Sequence, residues 1–392
     1  MTRFAAVILA AGQSSRLGEF KPLVRLGAET LLERAAGLFR RAGAQAVIAV
    51  AGHNAAKTQA EAERLGIQAV VNESYTEGMF SSLRAGLRAL PNAPASCSPS
   101  CPASQLDAFF VLPVDLPLVR PQTLDVLLAR FAAAPAAVLH PVFLGQRGHP
   151  PLVDARHVAD ILAWNGRDGL AGALQALEQA HGAGEVPVAD GGIHFDVDTP
   201  ADLAEARRRH QRRGIPTPEE AVALLDLHGA GARGLAHGRG VADAALALAR
   251  ALNQGGAGLD LELVESAALL HDIAKGQPNH ERAGAELLTG LGFQRVAEVV
   301  AAHRDIDPAE VRRLTERELV YLADKLVRGP ERVGISRRFQ EKLDRYAHDA
   351  EATAAIRRRL EHAQAMRRLV ERQTGRSLET IVGKEPGLPD RT

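Results

Sequence analysis

The sequence predicts two domains of different class, a doubly wound α/β domain with a mostly parallel sheet and then an all-α domain. Three observations predict this. Short β-branched and apolar runs alternate with helical patterns through the first half, which is how strand–helix–strand units read. From Glu219 onward the strand signal vanishes and amphipathic helical patterns follow one another. Between the two regimes stands Gly214-Ile215-Pro216-Thr217-Pro218, a turn-rich stretch that cannot continue a helix. A chain of 392 residues is also too long for one ordinary core. The expected divisions are a first domain over 1–213, a linker over 214–218, a second domain over 219–380 and a disordered tail over 381–392.

In order, the expected strands of the first domain are Arg3–Ala10, Ala44–Ala51, Gln68–Val71, Ala108–Val114 and Ala137–Val142. The helices between them are Leu31–Ala42, Asn54–Leu65, Met79–Leu90 and Pro121–Ala133, with a last helix over Pro200–Arg213. In such a fold the ligand crevice lies at the carboxyl ends of the strands, so a motif counts only if it falls there. The second domain should end in the Arg-rich helical segment Ile356–Arg376 and the tail.

Composition narrows the partners. Lys plus Arg equals Asp plus Glu at 47 each, which offers no basic surface for nucleic acid. Runs such as Phe4–Ala11 fall far short of the roughly 18–20 apolar residues of a membrane helix, and Ala5–Ala11 leads straight into a glycine loop instead of a signal-peptide layout. The protein is expected to be cytoplasmic, with no membrane and no nucleic-acid partner. Its two cysteines, Cys97 and Cys101, lie in the Pro-, Ser- and Ala-rich segment Pro91–Gln105, which reads as a mobile loop without assigned function.

The first chemical motif is Leu9-Ala10-Ala11-Gly12-Gln13-Ser14-Ser15-Arg16-Leu17-Gly18, followed by Lys21, directly after the first strand. Gly12 and Gly18 let backbone amides approach an anion, and Arg16 and Lys21 supply positive charge for a triphosphate. It is not a Walker loop, because Lys21 stands beyond Gly18 instead of following a glycine directly. A second motif comes where the buried strand Phe109–Val114 delivers Asp115 to the carboxyl edge, where a carboxylate can hold Mg²⁺ against a nucleotide phosphate. A third, Phe195-Asp196-Val197-Asp198-Thr199-Pro200, adds carboxylates just before a helix, with Asp198 either a metal ligand or part of the helix cap.

Taken in order, Ala10–Gly18 with Lys21, Gly78-Met79-Phe80-Ser81-Ser82-Leu83, Asp115, Gln146-Arg147-Gly148-His149-Pro150 and Asp196–Pro200 resemble the nucleotidyltransferases that attach a nucleotide to molybdopterin. The resemblance covers about residues 1–210 and implies a Rossmann-like nucleotidyltransferase domain. The Ala10-Ala11-Gly12 opening is similar to the molybdenum cofactor cytidylyltransferases, so the resemblance favours CTP over other NTPs. Val114 and Leu116 around Asp115 differ from the Gly and Gln usual in that group, which leaves the acceptor open. Carried over residue by residue, Ala10, Ala11, Gly12, Ser14, Arg16, Gly18 and Lys21, with Ser81 and Ser82, would bind the nucleotide. Asp115 and Asp198 would hold Mg²⁺, with Lys21 and Asp115 catalytic, and His149 would face the acceptor.

The second half carries a different set: His237, the pair His271-Asp272, His280, His303 and Asp324, all on segments that read as helices. His237 should open the helix His237–Leu252, His271-Asp272 should close Leu263–Leu270, and Asp324 should lie on Glu316–Val327, with His280 and His303 on two further helices. Imidazoles with carboxylates suit Mn²⁺, Fe²⁺, Zn²⁺ or Mg²⁺. The segment from Leu235 to about Tyr346, with Ala268-Leu269-Leu270-His271-Asp272-Ile273-Ala274-Lys275 as its core, resembles the HD superfamily of metal-dependent phosphohydrolases. The resemblance implies that His237, His271, Asp272 and Asp324 hold one divalent metal and that His280 and His303 hold a second or bind phosphate. Asp272 and Lys275 would be the catalytic pair, Lys275 as a phosphate contact.

Two functions follow as expectations. One is Mg²⁺-dependent transfer of CMP from CTP to a molybdopterin-type acceptor with release of pyrophosphate, fused to a phosphohydrolase, with a molybdoenzyme as the recipient of the product. The other is an HD phosphohydrolase of small nucleotides whose first domain senses nucleotide or acts on another phosphorylated acceptor.

Overall fold

The computed structural model describes residues 2–91, 106–303 and 306–383, which divide into two compact units, Met1–Arg212 and Arg213–Thr392. Cys97, Cys101 and nearly all of their loop lie outside the described residues, as do residues 384–392 of the expected tail.

The first unit runs β1 (Phe4–Ala10), the small hairpin β2 (Arg25–Leu26) and β3 (Glu29–Thr30), α1 (Leu31–Arg41), β4 (Ala46–Ala51), α2 (Ala55–Leu65), β5 (Gln68–Val71) and α3 (Met79–Arg88). It continues through β6 (Ala108–Pro113), α4 (Pro121–Ala133), β7 (Val138–Phe143), β8 (Gln146–Arg147), β9 (Leu152–Asp154), α5 (Val158–Ala163), α6 (Gly169–His181), β10 (Ala183–Pro187) and α7 (Pro200–Gln211). The sheet order is β10-β7-β9-β6-β1-β4-β5, with β8 paired to β7. All neighbours pair in parallel except β9, which is inserted antiparallel between β6 and β7, and β8. Strand β9 and the elements α5, α6 and β10 were not expected from the sequence. With three residues, β9 is too short for an alternation to register, and β10 carries Gly184 and Glu185 in place of a β-branched run.

Central strand β1 is buried along its whole length, as a parallel strand covered on both faces must be. Phe4, Ala6 and Ile8 face one core with Leu31, Phe39, Leu124, Phe131 and Leu203 from α1, α4 and α7. Ala5, Val7 and Leu9 face the other with Leu83, Leu87, Ile161, Leu174 and Leu177 from α3, α5 and α6. Leu9 pairs with Pro113 across β1 and β6. The glycine loop and Asp115 therefore leave the sheet side by side at its carboxyl edge.

The second unit is helical: α8 (Pro218–Leu227), α9 (Gly231–Gln254), α10 (Leu261–Leu270), α11 (His280–Gly290), α12 (Gln294–Ala301), α13 (Glu316–Lys325), α14 (Ile335–Arg345), α15 (Ala350–Thr374) and α16 (Leu378–Val382). Its one departure from all-α among the described residues is a two-residue hairpin, β11 (Val327–Arg328) with β12 (Glu331–Arg332), which turns the chain at the end of α13. Ile381 and Val382, expected in a tail, close α16 with Val382 buried. Thr217 caps α8 through a capping box with Glu220, so the turn before Pro218 is the helix start the proline demanded. The long α9 packs on α8, α10, α13 and α15, and α10, apolar nearly all round, is buried between α9, α12 and α13.

Candidate functional sites

In the first unit a cleft of about 370 Å³ opens at the carboxyl edge of the sheet. Leu9, Ala10, Ala11, Gly12, Gln13 and Ser14 form one wall, Lys21 and Asp115 another, and Tyr75, Thr76, Gly78, Met79 and Ser82 a third. Gly12 lies open to it: a Cβ built there would meet no described atom within 4 Å, so its lack of a side chain is not a demand of the protein's own packing. Ser14 orders the loop, its hydroxyl accepting from the Lys21 amide at 3.1 Å and its carbonyl from the Gly18 amide at 3.3 Å. Gly18 itself stands at φ 76°, the left-handed region that favours glycine.

Lys21 is the hub of the charge in this cleft. Its Nζ donates to Asp115 Oδ2 at 2.9 Å and to Asp198 Oδ1 at 2.6 Å, and Arg16 reaches Asp198 Oδ2 at 2.6 Å with its side chain 71% exposed. The Val197 amide bonds the Asp115 carbonyl at 2.8 Å, which stitches the two carboxylate loops together. Asp198 is not the cap of α7: Thr199 is, through a capping box with Asp202, and this leaves the Asp198 carboxylate to the cations. The hydrogen bond from Lys21 holds the Asp198 carboxyl below its ordinary range. Burial works against the Lys21 ammonium, but the two carboxylates outweigh it and raise its pKa.

Of the two serines at the start of α3, Ser82 lines the cleft and Ser81 does not. Ser81 Oγ donates to the carbonyls of Ser74 or Gly78, and the buried Asn72 Nδ2 donates to both serine hydroxyls at 2.8 and 3.0 Å. Asn72 and Tyr75 are site residues that sequence reasoning missed, because polar residues after a short edge strand carry no local pattern. Tyr75 and Ala11 both pack closely on Gly52, where a Cβ would stand 2.6 Å from Tyr75 Cβ and 2.7 Å from Ala11 Cβ. His149 does not line the cleft; its amide donates to Ile193 O at 3.0 Å, its buried Nδ1 has no hydrogen-bond partner among the described residues, and burial lowers its pKa.

The six expected ligands of the second unit do converge, although not all as expected. His237 lies inside α9 instead of opening it, because the helix begins at Gly231. His303 is just past the end of α12, and Asp272 is in the turn after α10, so neither is helical. The six residues come from five places, α9, the turn after α10, the start of α11, the end of α12 and α13.

His237 Nε2 lies 3.4 Å from Asp324 Oδ1 and 3.8 Å from Asp272 Oδ2, while His271 Nε2 lies 3.6 Å from Asp272 Oδ2 and 3.8 Å from Asp324 Oδ1. The other Asp272 oxygen, Oδ1, faces His280 Nε2 at 3.4 Å and His303 Nε2 at 3.7 Å. Three of the four imidazoles are aimed from behind by backbone carbonyls. His237 Nδ1 bonds Gly329 O at 3.1 Å, His271 Nδ1 bonds Ala268 O at 2.7 Å and His303 Nδ1 bonds Val300 O at 2.7 Å. A carbonyl can only accept, so each Nδ1 carries the proton and each Nε2 presents a lone pair to the centre. His271 Nε2 is buried with no hydrogen-bond partner among the described residues, and burial pushes the ring down to about 4.

Positive charge closes the floor of this site. Lys325 Nζ donates to Asp324 Oδ2 at 2.8 Å and to the His303 carbonyl at 3.2 Å, and Arg338 Nη2 reaches Asp324 Oδ1 at 3.1 Å. Asp324 is held well below its ordinary range by Lys325 and then Arg338, against the opposing effect of burial. Lys275 Nζ lies 2.5 Å from Asp272 Oδ2 with its side chain 67% exposed, at the solvent side of the cluster. Sequence reasoning missed Lys325 and Arg338. A lysine directly after an aspartate at a helix end was the only available signal for the first, and Arg338 is brought in from a later helix.

The donor sets fit divalent metals. His237, His271 and Asp272 form one group with ligand atoms within 4.8 Å of one another, and Asp272, His280 and His303 form a second. In the first unit Asp115 and Asp198 converge on one ammonium, a pair of carboxylates of the kind that holds Mg²⁺ together with substrate phosphates and water. Among the described residues no helix is long and apolar enough to cross a membrane.

Residues 6–183 match the family of MobA-like NTP transferase domains, and residues 234–329 match the HD domain family. No curated protein matches the chain. Among solved structures the chain is similar to Rv0371c from Mycobacterium tuberculosis H37Rv, at 27% identity over 53% of this chain and 98% of that one, with a TM-score of 0.44. It is similar to a homologue of that protein from Mycobacterium sp. strain JC1, at 24% identity over 54% and 98% with a TM-score of 0.42. It is also similar to molybdopterin-guanine dinucleotide biosynthesis protein A from Archaeoglobus fulgidus, at 17% identity over 53% and 99% with a TM-score of 0.38. The chain thus carries a nucleotidyltransferase domain followed by an HD phosphohydrolase domain.

Proposed function

We propose that this fusion of a nucleotidyltransferase with an HD phosphohydrolase transfers CMP from CTP to a molybdopterin-type acceptor in its first domain and hydrolyses a small phosphorylated compound in its second. The observation that carries the first half is Lys21, clamped between Asp115 and Asp198 at the mouth of a cleft walled by the Ala10–Ser14 loop. The lean to CTP and to this acceptor rests on the Ala10-Ala11-Gly12 opening and the motif order. In this reading Asp115 and Asp198 hold Mg²⁺, which would withdraw charge from the α-phosphate and the departing pyrophosphate. When phosphates enter, Lys21 and Arg16 turn from the carboxylates toward them, the loop amides around Gly12 cradle the anion, and Ser82 and Tyr75 bound its far side. The acceptor phosphate attacks in line, which asks for positioning and charge compensation more than for a side-chain base.

In the second domain His237, His271, Asp272 and Asp324 would hold one divalent metal and His280 and His303, with the other oxygen of Asp272, a second. The metals would supply a nucleophilic water of lowered pKa and polarise the phosphoryl group. The three Nδ1–carbonyl bonds fix ring direction, Lys325 and Arg338 offset the charge of Asp324, and Lys275 stands where an incoming phosphate would meet a cation.

A nucleotide panel tests both halves together. The purified chain is incubated with Mg²⁺ and CTP, GTP, ATP or UTP, with and without molybdopterin, while pyrophosphate and orthophosphate are measured. Pyrophosphate from CTP that requires molybdopterin and is lost in Lys21→Ala supports the transferase. Pyrophosphate from none of the nucleotides sinks it. Orthophosphate release lost in Asp272→Ala reports the second domain separately.

A further inference from the structure

The first unit holds a second group of metal-ligating side chains, on α5 and α6 and the turn before α5, outside the residues that line the nucleotide cleft. His157 ends the turn before α5, Asp160 lies in the first turn of α5, and His181 is the last residue of α6. One ligand atom from each lies within 4.8 Å of the others. His157 Nδ1 is 2.9 Å from Asp160 Oδ2, and the rings of His157 and His181 stack at 4.5 Å between centroids with 30° between planes. We propose that His157, Asp160 and His181 form a surface site for a borderline divalent transition metal of the Zn²⁺, Co²⁺ or Ni²⁺ class, which clips α5 to α6.

The chemistry of the set selects that class. Two imidazoles and one carboxylate suit such ions and are poor ligands for Mg²⁺ or Ca²⁺, which take oxygen. Water would complete the coordination, because Asp160 and His181 are exposed. The three residues come from rigid places: Asp154 caps the turn that carries His157 by accepting from the Arg156 amide at 2.9 Å, and α5 and α6 are both anchored in the core by Val158, Ile161, Leu174 and Leu177. The ligand spacing is therefore held without the ion. In its absence the two rings lie in contact and the contact between His157 Nδ1 and Asp160 Oδ2 is made by a proton. A bound ion takes over that bridge at Nδ1, the proton passes to Nε2 of the same ring, which stays neutral, and the ion adds the second ring.

The consequence is a metal-dependent fastening of two helices. His157 and His181 bracket the segment that holds α5 and α6, so an ion joining them ties its two ends together and occupancy raises the stability of the first unit by mass action. The site is separate from the nucleotide cleft and from the His and Asp cluster of the second unit, so its test must silence the latter.

Full-length Asp272→Ala protein, stripped of metal, is titrated with Co²⁺ and with Zn²⁺ and compared with Asp272→Ala/His181→Gln and Asp272→Ala/His157→Gln. The expected result is one more ion bound per Asp272→Ala chain than per either double variant, with a visible Co²⁺ spectrum of nitrogen-containing coordination and a rise in Tm with Zn²⁺. The spectrum and the Tm rise should both be lost in either double variant. Circular dichroism of the metal-free double variants checks that they are folded; His181, exposed at a helix end, tolerates glutamine. Equal ion binding and an unchanged Co²⁺ spectrum in Asp272→Ala and both folded double variants, or no ion bound to the Asp272→Ala chain, overturns the proposal. Nucleotidyl transfer is not the readout, so the result does not depend on the reaction assigned above.

Discussion

Gly238 sits so close to Leu269 that a Cβ on the glycine would lie 2.8 Å from the Leu269 carbonyl oxygen. The backbones of α9 and α10 come close together here, and the residue before Gly238 is His237 while His271 follows Leu269 by two. The rings of those histidines consequently meet edge to face at 5.1 Å. A backbone contact with no room for one methyl sets the distance between two expected ligands.

Gly238→Ala should therefore push α9 from α10. Overpacking of this kind costs about 1–3 kcal/mol, and the metal content of the second domain should fall with it. Thermal unfolding and metal analysis of the same sample check this. An unchanged Tm with full metal content would show that the helices yield without cost.

Lys21→Ala and Asp115→Asn should each lower pyrophosphate release by about 10²–10³-fold, the scale for removing one preorganised charge partner. Neither should change orthophosphate release by the second domain. The two rates, measured on one preparation, separate loss of chemistry from loss of folding.

Asp272→Ala and His280→Ala should differ in metal content. Asp272 offers one oxygen to His237 and His271 and the other to His280 and His303, so its loss opens both groups. His280 belongs to one group alone, and its alanine variant should keep the metal held by the buried pair. Inductively coupled plasma analysis reads this directly; equal loss in both variants would rule out two separate groups.

Gly52→Ala should raise KM for the nucleotide more than it lowers kcat. The added methyl would collide with Tyr75 Cβ and Ala11 Cβ, at 2.6 and 2.7 Å, and splay the cleft wall from the glycine loop. Steady-state kinetics check the split. A loss confined to kcat would place the damage at the reacting atoms instead.

Acid should loosen α7 over a defined range. Glu205 is lowered to about 2, first by its hydrogen bond from Arg208 and then by that from Arg209, against an ordinary value of 4.5. A depressed carboxylate contributes stability that is present above 4.5 and is lost as pH falls from there through about 2. These are partly exposed pairs within one helix, worth less than about 1 kcal/mol. Glu205→Gln should therefore show a slightly smaller fall in Tm between pH 5 and pH 3 than the parent, and an equal fall would mean that the pair is solvated away.

The strands β1, β4, β5 and β6 and the helices around them were legible because each is long enough to show its period and is bounded by glycine or proline. Strand β5 and helix α4 fall on the expected residues. Strand β9 and helix α6 were not, since a three-residue strand has no period and Gly169 and Gly172 dilute the start of α6. In the second domain the helix α9 starts six residues before the expected His237 because Gly231 and Gly234 hide its beginning.

The identities of the charged residues were in the sequence: Lys21, Asp115 and Asp198 in one half, and the His and Asp set in the other. A residue type and its order can announce chemistry because imidazoles, carboxylates and phosphate-binding glycine loops are few and specific. What only the tertiary structure decided is which atom faces which. That Asp272 divides its two oxygens between two histidine pairs, that Lys21 stands between two carboxylates 94 and 177 residues away along the chain, and that Lys325 and Arg338 underlie Asp324 follow from packing. Such contacts depend on where strands pair and how closely helices approach, which are sums over many weak contacts far apart in the chain, and no local pattern carries them.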